Sequence, residues 1–141
     1  MSPVPLVAPA LSLAGWTLIM EIWMYAYRIP DLEKYKVDTS PNMTAESMKK
    51  IPRHRQWPAD NYNHLHEQPT VFYATAICLT LLDAHDKTTV GLAWAYVAAR
   101  VLHSLIQART NVIMQRFSVF AISGVILGSL VVRGLLRAFW G

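Results

Sequence analysis

Residues 92–107 read LAWAYVAARVLHSLIQ, an apolar run that carries Arg100, His103 and Gln107 at helical spacing. Side chains three, four and seven positions apart share one face of a helix. An arginine at bilayer depth is costly unless it meets a partner, a bundle interior or a wet cavity. The run therefore predicts a membrane-spanning helix that turns a polar face toward other helices.

Three further apolar stretches surround it, giving predicted spans over residues 6–27, 61–82, 91–107 and 116–136. Each is read against a hydrocarbon core of roughly 30 Å and a helical rise of about 1.5 Å per residue. Composition agrees: 53% of the residues are hydrophobic and 16% charged, against roughly 25% charged in a soluble domain. A chain of 141 residues holds one domain. The expected fold class is all-α, an integral membrane four-helix bundle.

The first span has no cation ahead of it and its first charge is Glu21, so it reads as a retained helix rather than a cleaved signal. Glu21 itself should find an arginine or histidine on a neighbouring helix or subunit. Residues 28–60 form a polar connection punctuated by Pro30, Pro41, Pro52 and Pro58, with one short helix expected from Thr44 to Lys50. In the second span the polar stretch Asp60 to Gln68 extends the apolar one, and Pro69 is expected to kink a single long helix, depriving the Leu65 carbonyl of its usual donor. Cys78 lies alone in this span, which excludes an internal disulfide and suggests a buried, inert thiol.

Seven of the thirteen Lys and Arg residues fall between Arg28 and Arg55. Such clustering marks a membrane surface rather than a nucleic-acid interface. Counting cations beside the spans gives nine on one side and three on the other, which places the first connection in the cytoplasm and both termini outside it. The sequon Asn42-Met43-Thr44 would then never meet the glycosylation machinery. Trp94 and Trp140, near span ends, read as interfacial anchors.

Asp60, Asn63, His64 and Glu67 share one face of the second helix, as Arg100, His103 and Gln107 do on the third. Glu67 and Arg100 are the expected ion pair, and His103 is open between a satisfied bundle histidine and a ligand contact. Metal binding is disfavoured, because His64 and His66 point to different sides of a helix and no second zinc-helix histidine follows. No phosphate-binding glycine loop, nucleophile elbow or dinucleotide fingerprint is present.

Asn63-His64-Leu65-His66-Glu67-Gln68-Pro69-Thr70-Val71-Phe72-Tyr73, then Ala93-Trp94-Ala95-Tyr96-Val97-Ala98-Ala99-Arg100-Val101-Leu102-His103-Ser104, then Asn111 and Arg116-Phe117, together resemble the MAPEG family. These are membrane-associated proteins in eicosanoid and glutathione metabolism. The likeness covers all four spans, is strongest from Asn61 to Phe120, and is similar to the bacterial branch, which would place the chain in a bacterial inner membrane.

The resemblance implies homotrimers of four-helix subunits, with glutathione as co-substrate between neighbours near the cytoplasmic surface. It implies Arg116 as the catalytic residue beside the glutathione sulfur. Binding contacts would come from Arg28, Asn63, His64, Glu67, Arg100, His103 and Gln107. Where the eicosanoid branch carries arginines this chain has Asp60 and Asn63, where an asparagine is usual it has His64, and where several members have a tyrosine it has Gln107. The implied activity is a glutathione transferase or peroxidase acting on lipophilic electrophiles or lipid hydroperoxides. The alternatives are a non-catalytic trimer that binds a lipid or small ligand, and a proton or ion pathway through Glu21, Glu67 and His103.

Overall fold

A computed structural model describes residues 4–37, 39–42 and 45–141. Those residues form helices and connections, with no strand among them: α1 Val7–Lys34, α2 Ala45–Met48, α3 Arg53–His64, α4 Gln68–Leu81, α5 Lys87–Arg109 and α6 Ile113–Trp140. Three of the helices, α1, α5 and α6, are long and apolar enough to cross a membrane. Large apolar side chains stand outward on them, among them Ile22, Ile29, Val125 and Phe139 at 65–73% exposure, as expected of helices whose solvent is lipid. The chain is therefore an integral membrane protein by the length and character of its helices.

The second predicted span is two helices rather than one kinked helix. With α4 at 14 residues, the apolar part falls short of the roughly 20 residues a perpendicular crossing needs. Pro69 occupies the first turn of α4, where a missing N–H costs nothing, and the chain leaves helical geometry before it, at Glu67 (φ −98°, ψ −96°). A continuous helix would press the proline ring onto the Leu65 carbonyl, so the break comes one turn ahead of the residue that causes it. The first connection is also shorter than expected: α1 continues through Pro30 to Lys34, and α3 begins at Arg53. The predicted short helix shrinks to α2; its predicted cap, Thr44, lies outside the described residues.

The ends of α1 and α4 are closed without glycine. At the end of α1, Lys36 takes φ 52°, with its N–H bonded to the Glu33 carbonyl and that of Val37 to Leu32. Asp83 (φ 59°) closes α4 the same way through Thr80 and Leu79, the double bond pattern of a left-handed cap. Asp86 then starts α5, accepting from the Thr89 backbone at 3.3 Å and the Thr89 hydroxyl at 2.6 Å.

Two seams of seven-residue spacing meet in the core. Leu6, Leu13 and Met20 run along α1, and Leu65, Phe72 and Leu79 along α3 and α4, all buried. Phe72 stacks on Tyr96 of α5 at 4.5 Å between ring centroids. α5 makes its most extensive contact with α6, and α1 with α3. Gln68, the first residue after the break, ties this arrangement together: its Oε1 accepts from the Tyr96 hydroxyl and from Ser123 of α6, each at 3.1 Å. Cys78 is exposed, not buried as expected, because the buried face of α4 belongs to Phe72, Ala76 and Leu79.

Candidate functional site

Because α3 stops at His64 and α4 starts afresh, the polar face of α3 can turn toward the ends of α5 and α6. A cavity of about 370 Å³ opens there, lined by Arg53, Asp60, Asn63, His64, Glu67, Gln107 and Arg116. Five of the predicted site residues meet in it: Asn63, His64, Glu67, Gln107 and Arg116. Arg28 does not; it lies half-buried on α1, away from the lining.

The wall of the cavity carries paired charges. Arg53 holds Asp60 at 3.0 Å, and His64 Nδ1 lies 3.1 Å from the Glu67 carboxylate. Arg116 donates through Nη1 to Asn111 Oδ1. Asn111 is the left-handed residue (φ 51°) joining α5 to α6, its N–H bonded to the Ile106 carbonyl. Asparagine tolerates that geometry better than a branched residue, and here its side chain also orients the arginine.

Behind the wall lies a buried polar layer from α5, of which Gln107 alone reaches the cavity lining; the predicted site residues Arg100 and His103 do not line it. Arg100 is 1% exposed, and His103, Ser104 and Gln107 are buried with it. The expected ion pair between Glu67 and Arg100 is not formed. Glu67 faces outward with His64, and Arg100 reaches only the His64 backbone carbonyl, through Nη2 at 3.5 Å. His64 is the last residue of α3 and its carbonyl lies at the helix end, within reach of Arg100, while Glu67 stays in the cavity lining beside Asn63 and His64 and pairs with the His64 ring.

Arg100 Nε and Nη1, His103 Nδ1, Gln107 Oε1, Ser104 Oγ and both amide atoms of Asn61 are buried without a hydrogen-bond partner among the described residues. Asn61 lies one turn before His64 on α3 and Ser104 one turn after Arg100 on α5, the two residues that meet at 3.5 Å. Each buried polar group left unpaired costs about 1–3 kcal/mol, and an unpaired cation costs more. In this layer Arg100 Nε and Nη1, Asn61 Nδ2 and the Ser104 hydroxyl are donors that an anion could satisfy, while Asn61 Oδ1 and Gln107 Oε1 are acceptors that would need a donor. The rings of His64 and His103 lie edge to face at 6.4 Å, and Phe120 of α6 covers both His103 and the Arg100 guanidinium at about 6 Å.

No group of His, Cys, Asp or Glu among the described residues could hold a metal ion. His66 turns away, its Nδ1 lying 2.9 Å from the Tyr62 carbonyl. Within the chain Glu21 faces the Tyr62 hydroxyl. A MAPEG family model matches residues 6–136.

The chain belongs to the MAPEG family. It is a membrane protein of that family, whose members include glutathione transferases and peroxidases. No curated protein and no solved structure gives a match.

Sequence reasoning missed Arg53, Asn61 and Ser104. Arg53 looked like one more surface cation. Asn61 and Ser104 could have been found by continuing the pairing of α3 and α5 one turn beyond Arg100. Also missed was Asp31, 2% exposed at the end of α1, which Arg55 grips through Nε and Nη2 at 3.0 and 3.1 Å. The hydrogen bond to Asp31 raises the Arg55 guanidinium above its ordinary pKa, so it is cationic at every accessible pH.

Proposed function

We propose that this MAPEG protein binds glutathione in the polar cavity and delivers its thiolate to lipophilic electrophiles or lipid hydroperoxides. The observation that carries the reading is Arg100, a guanidinium buried behind the cavity against the His64 backbone, whose Nε and Nη1 donors are unpaired among the described residues. Glutathione brings two carboxylates and a thiol, and a partly dry cationic site favours both its binding and its ionisation. The cavity, about 370 Å³, lies within the roughly 300–1,000 Å³ of small-ligand sites. Arg53 is balanced by Asp60 in the wall, so Arg116 is the cation of the lining that is not held by a carboxylate.

Arg116 is assigned to the sulfur. Held by Asn111, it stands at the start of α6 between Met114 and Phe117, which are exposed at 72% and 63% and would border lipid. A hydrophobic substrate could then approach laterally. In the transferase reaction the thiolate forms a C–S bond as the electrophile's leaving group departs. In the peroxidase reaction the thiolate takes the distal peroxide oxygen, releasing the lipid alcohol, and a second glutathione reduces the sulfenic acid to disulfide and water.

The assembly proposed is a trimer of four-helix subunits with both termini outside the cytoplasm. Helix α4 is flanked by two apolar grooves, one against α1 and a larger one of about 730 Å³ against α6. These are the faces assigned to neighbouring subunits, which would cover a helix too short to face lipid alone. Arg28, remote from its own cavity, would serve a neighbour's.

Calorimetric titration of glutathione into the full chain in lipid nanodiscs tests the reading, with turnover of a general electrophile measured alongside. Lowering a thiol pKa by about two units takes about 2.7 kcal/mol. Arg116→Ala should therefore retain binding and reduce turnover by about a hundredfold near neutral pH. Binding without turnover in the wild type would support the ligand-binding alternative; no binding at all would sink the glutathione assignment.

A further inference from the structure

On the opposite side of α3 from the glutathione cavity, and sharing no lining residue with it, lies a second recess of about 230 Å³. Trp23 and Tyr27 of α1, His54, Arg55 and Trp57 of α3, and Ala108 and Arg109 at the end of α5 surround it. We propose that this recess binds the phosphate of an anionic phospholipid headgroup.

Its chemistry is that of an anion site. The polar side chains of the lining are guanidinium, imidazole, indole and phenol groups, and no carboxylate is among them. Asp31 lies buried beneath, occupied by the Nε and Nη2 edge of Arg55, while the Arg55 guanidinium also stacks 4.0 Å above the Tyr27 ring. Arg55 is thereby fixed on both sides, with Nη1 left free of the clamp. A donor locked in place loses little conformational freedom when a ligand arrives.

Because Asp31 balances Arg55, the surplus charge comes from Arg109, which is exposed and makes no hydrogen bond or ion pair among the described residues. His54 adds a further ring nitrogen donor, held edge-on to Trp57 at 6.3 Å. Guanidinium groups recognise phosphate through paired N–H donors, which favours phosphate over a simple halide.

Depth selects a lipid as the source. The recess sits where the membrane-capable helices α1 and α5 reach their cation-bearing ends, Lys34 and Arg109. Trp and Tyr rings favour the headgroup level, and basic pockets between membrane helices bind anionic headgroups there. Trp23, Tyr27 and Trp57 would wall the glycerol while the arginines hold the phosphate.

The test uses the purified full chain in neutral detergent, titrated with short-chain phosphatidylglycerol, short-chain phosphatidylcholine or inorganic phosphate, with thermal melting as readout. The expected result is a saturable rise in melting temperature with phosphatidylglycerol and none with phosphatidylcholine. Arg109→Gln should weaken the phosphatidylglycerol effect about fivefold, the worth of one basic residue at an anionic surface. Arg109→Lys should recover part of it by restoring charge without the fork. Glutathione binding, measured on the same variants, should stay at the wild-type level, which separates this site from the catalytic proposal. Equal response to both lipids, or an Arg109→Gln response matching the wild type, would overturn the assignment. Displacement by inorganic phosphate at equal affinity would overturn its lipid part.

Discussion

Asn111 performs two tasks that can be separated by substitution. Its backbone takes the left-handed turn between α5 and α6, and its side chain accepts from Arg116. Asn111→Gly keeps the turn and releases the arginine, so melting should hold while turnover falls toward that of Arg116→Ala. Asn111→Val keeps neither and should cost about 1–2 kcal/mol or more in stability, the penalty of a branched residue in that geometry. A second residue-scale contrast is the clamp on α1. Arg55→Ala strands a carboxylate that is 2% exposed and should cost about 3 kcal/mol, whereas Asp31→Asn leaves a partly exposed arginine free to turn to water and should cost clearly less. Equal losses in chemical denaturation would mean that Asp31 is not buried as described. Both residues were hard to read in the sequence. Asp31 follows Pro30, where a helix is expected to have ended, and Asn111 gains its meaning only from Arg116 five positions on.

The membrane-capable helices were legible because apolar runs of that length have few other readings, and the face bearing Arg100, His103 and Gln107 followed from spacing alone. The end of α1 was not: the predicted span stops at residue 27 and the helix runs through Pro30 to Lys34, closed by Lys36 in the left-handed position where glycine is the usual signal, whereas α4 and α5 end within two residues of the predicted limits. The break before α4 was misplaced for a related reason: a proline is visible in sequence, but whether it kinks a helix or opens a new one depends on whether the preceding turn can find other partners. Glu67 was misassigned because its partner is His64, three residues back on the same face, rather than Arg100. At the far end of the molecule, Asp86 caps α5, and the Thr89 hydroxyl bonded to it holds its carboxyl below the ordinary carboxylate range. A carboxylate lowered on folding contributes its stability above its unfolded pKa and loses it as pH falls through the folded value. Amide exchange over the first turn of α5 should therefore quicken in acid, and Asp86→Ala should already exchange quickly at neutral pH and lose that acid dependence.

For the whole molecule, the proposed orientation predicts that single cysteines at Ser47 and His85, in a Cys78→Ala background, will label from opposite faces of the membrane, Ser47 from the cytoplasm. External labelling of Ser47 in intact cells would invert the orientation and move the proposed glutathione cavity to the other side. The break between α3 and α4 also constrains length in a way that no single side chain does. Leu65, Phe72 and Leu79 remain seven residues apart across it, so the interruption preserves the phase of the two helices although it abandons their hydrogen bonding. Each residue of an α-helix advances the side-chain direction by about 100°. Deleting His66 would therefore rotate α3 by about that angle against α4, swinging Asn63 and His64 out of the cavity while the apolar helices kept their places. Such a deletion should insert into the membrane normally and bind no glutathione, as a gear one tooth out of step still turns but no longer drives.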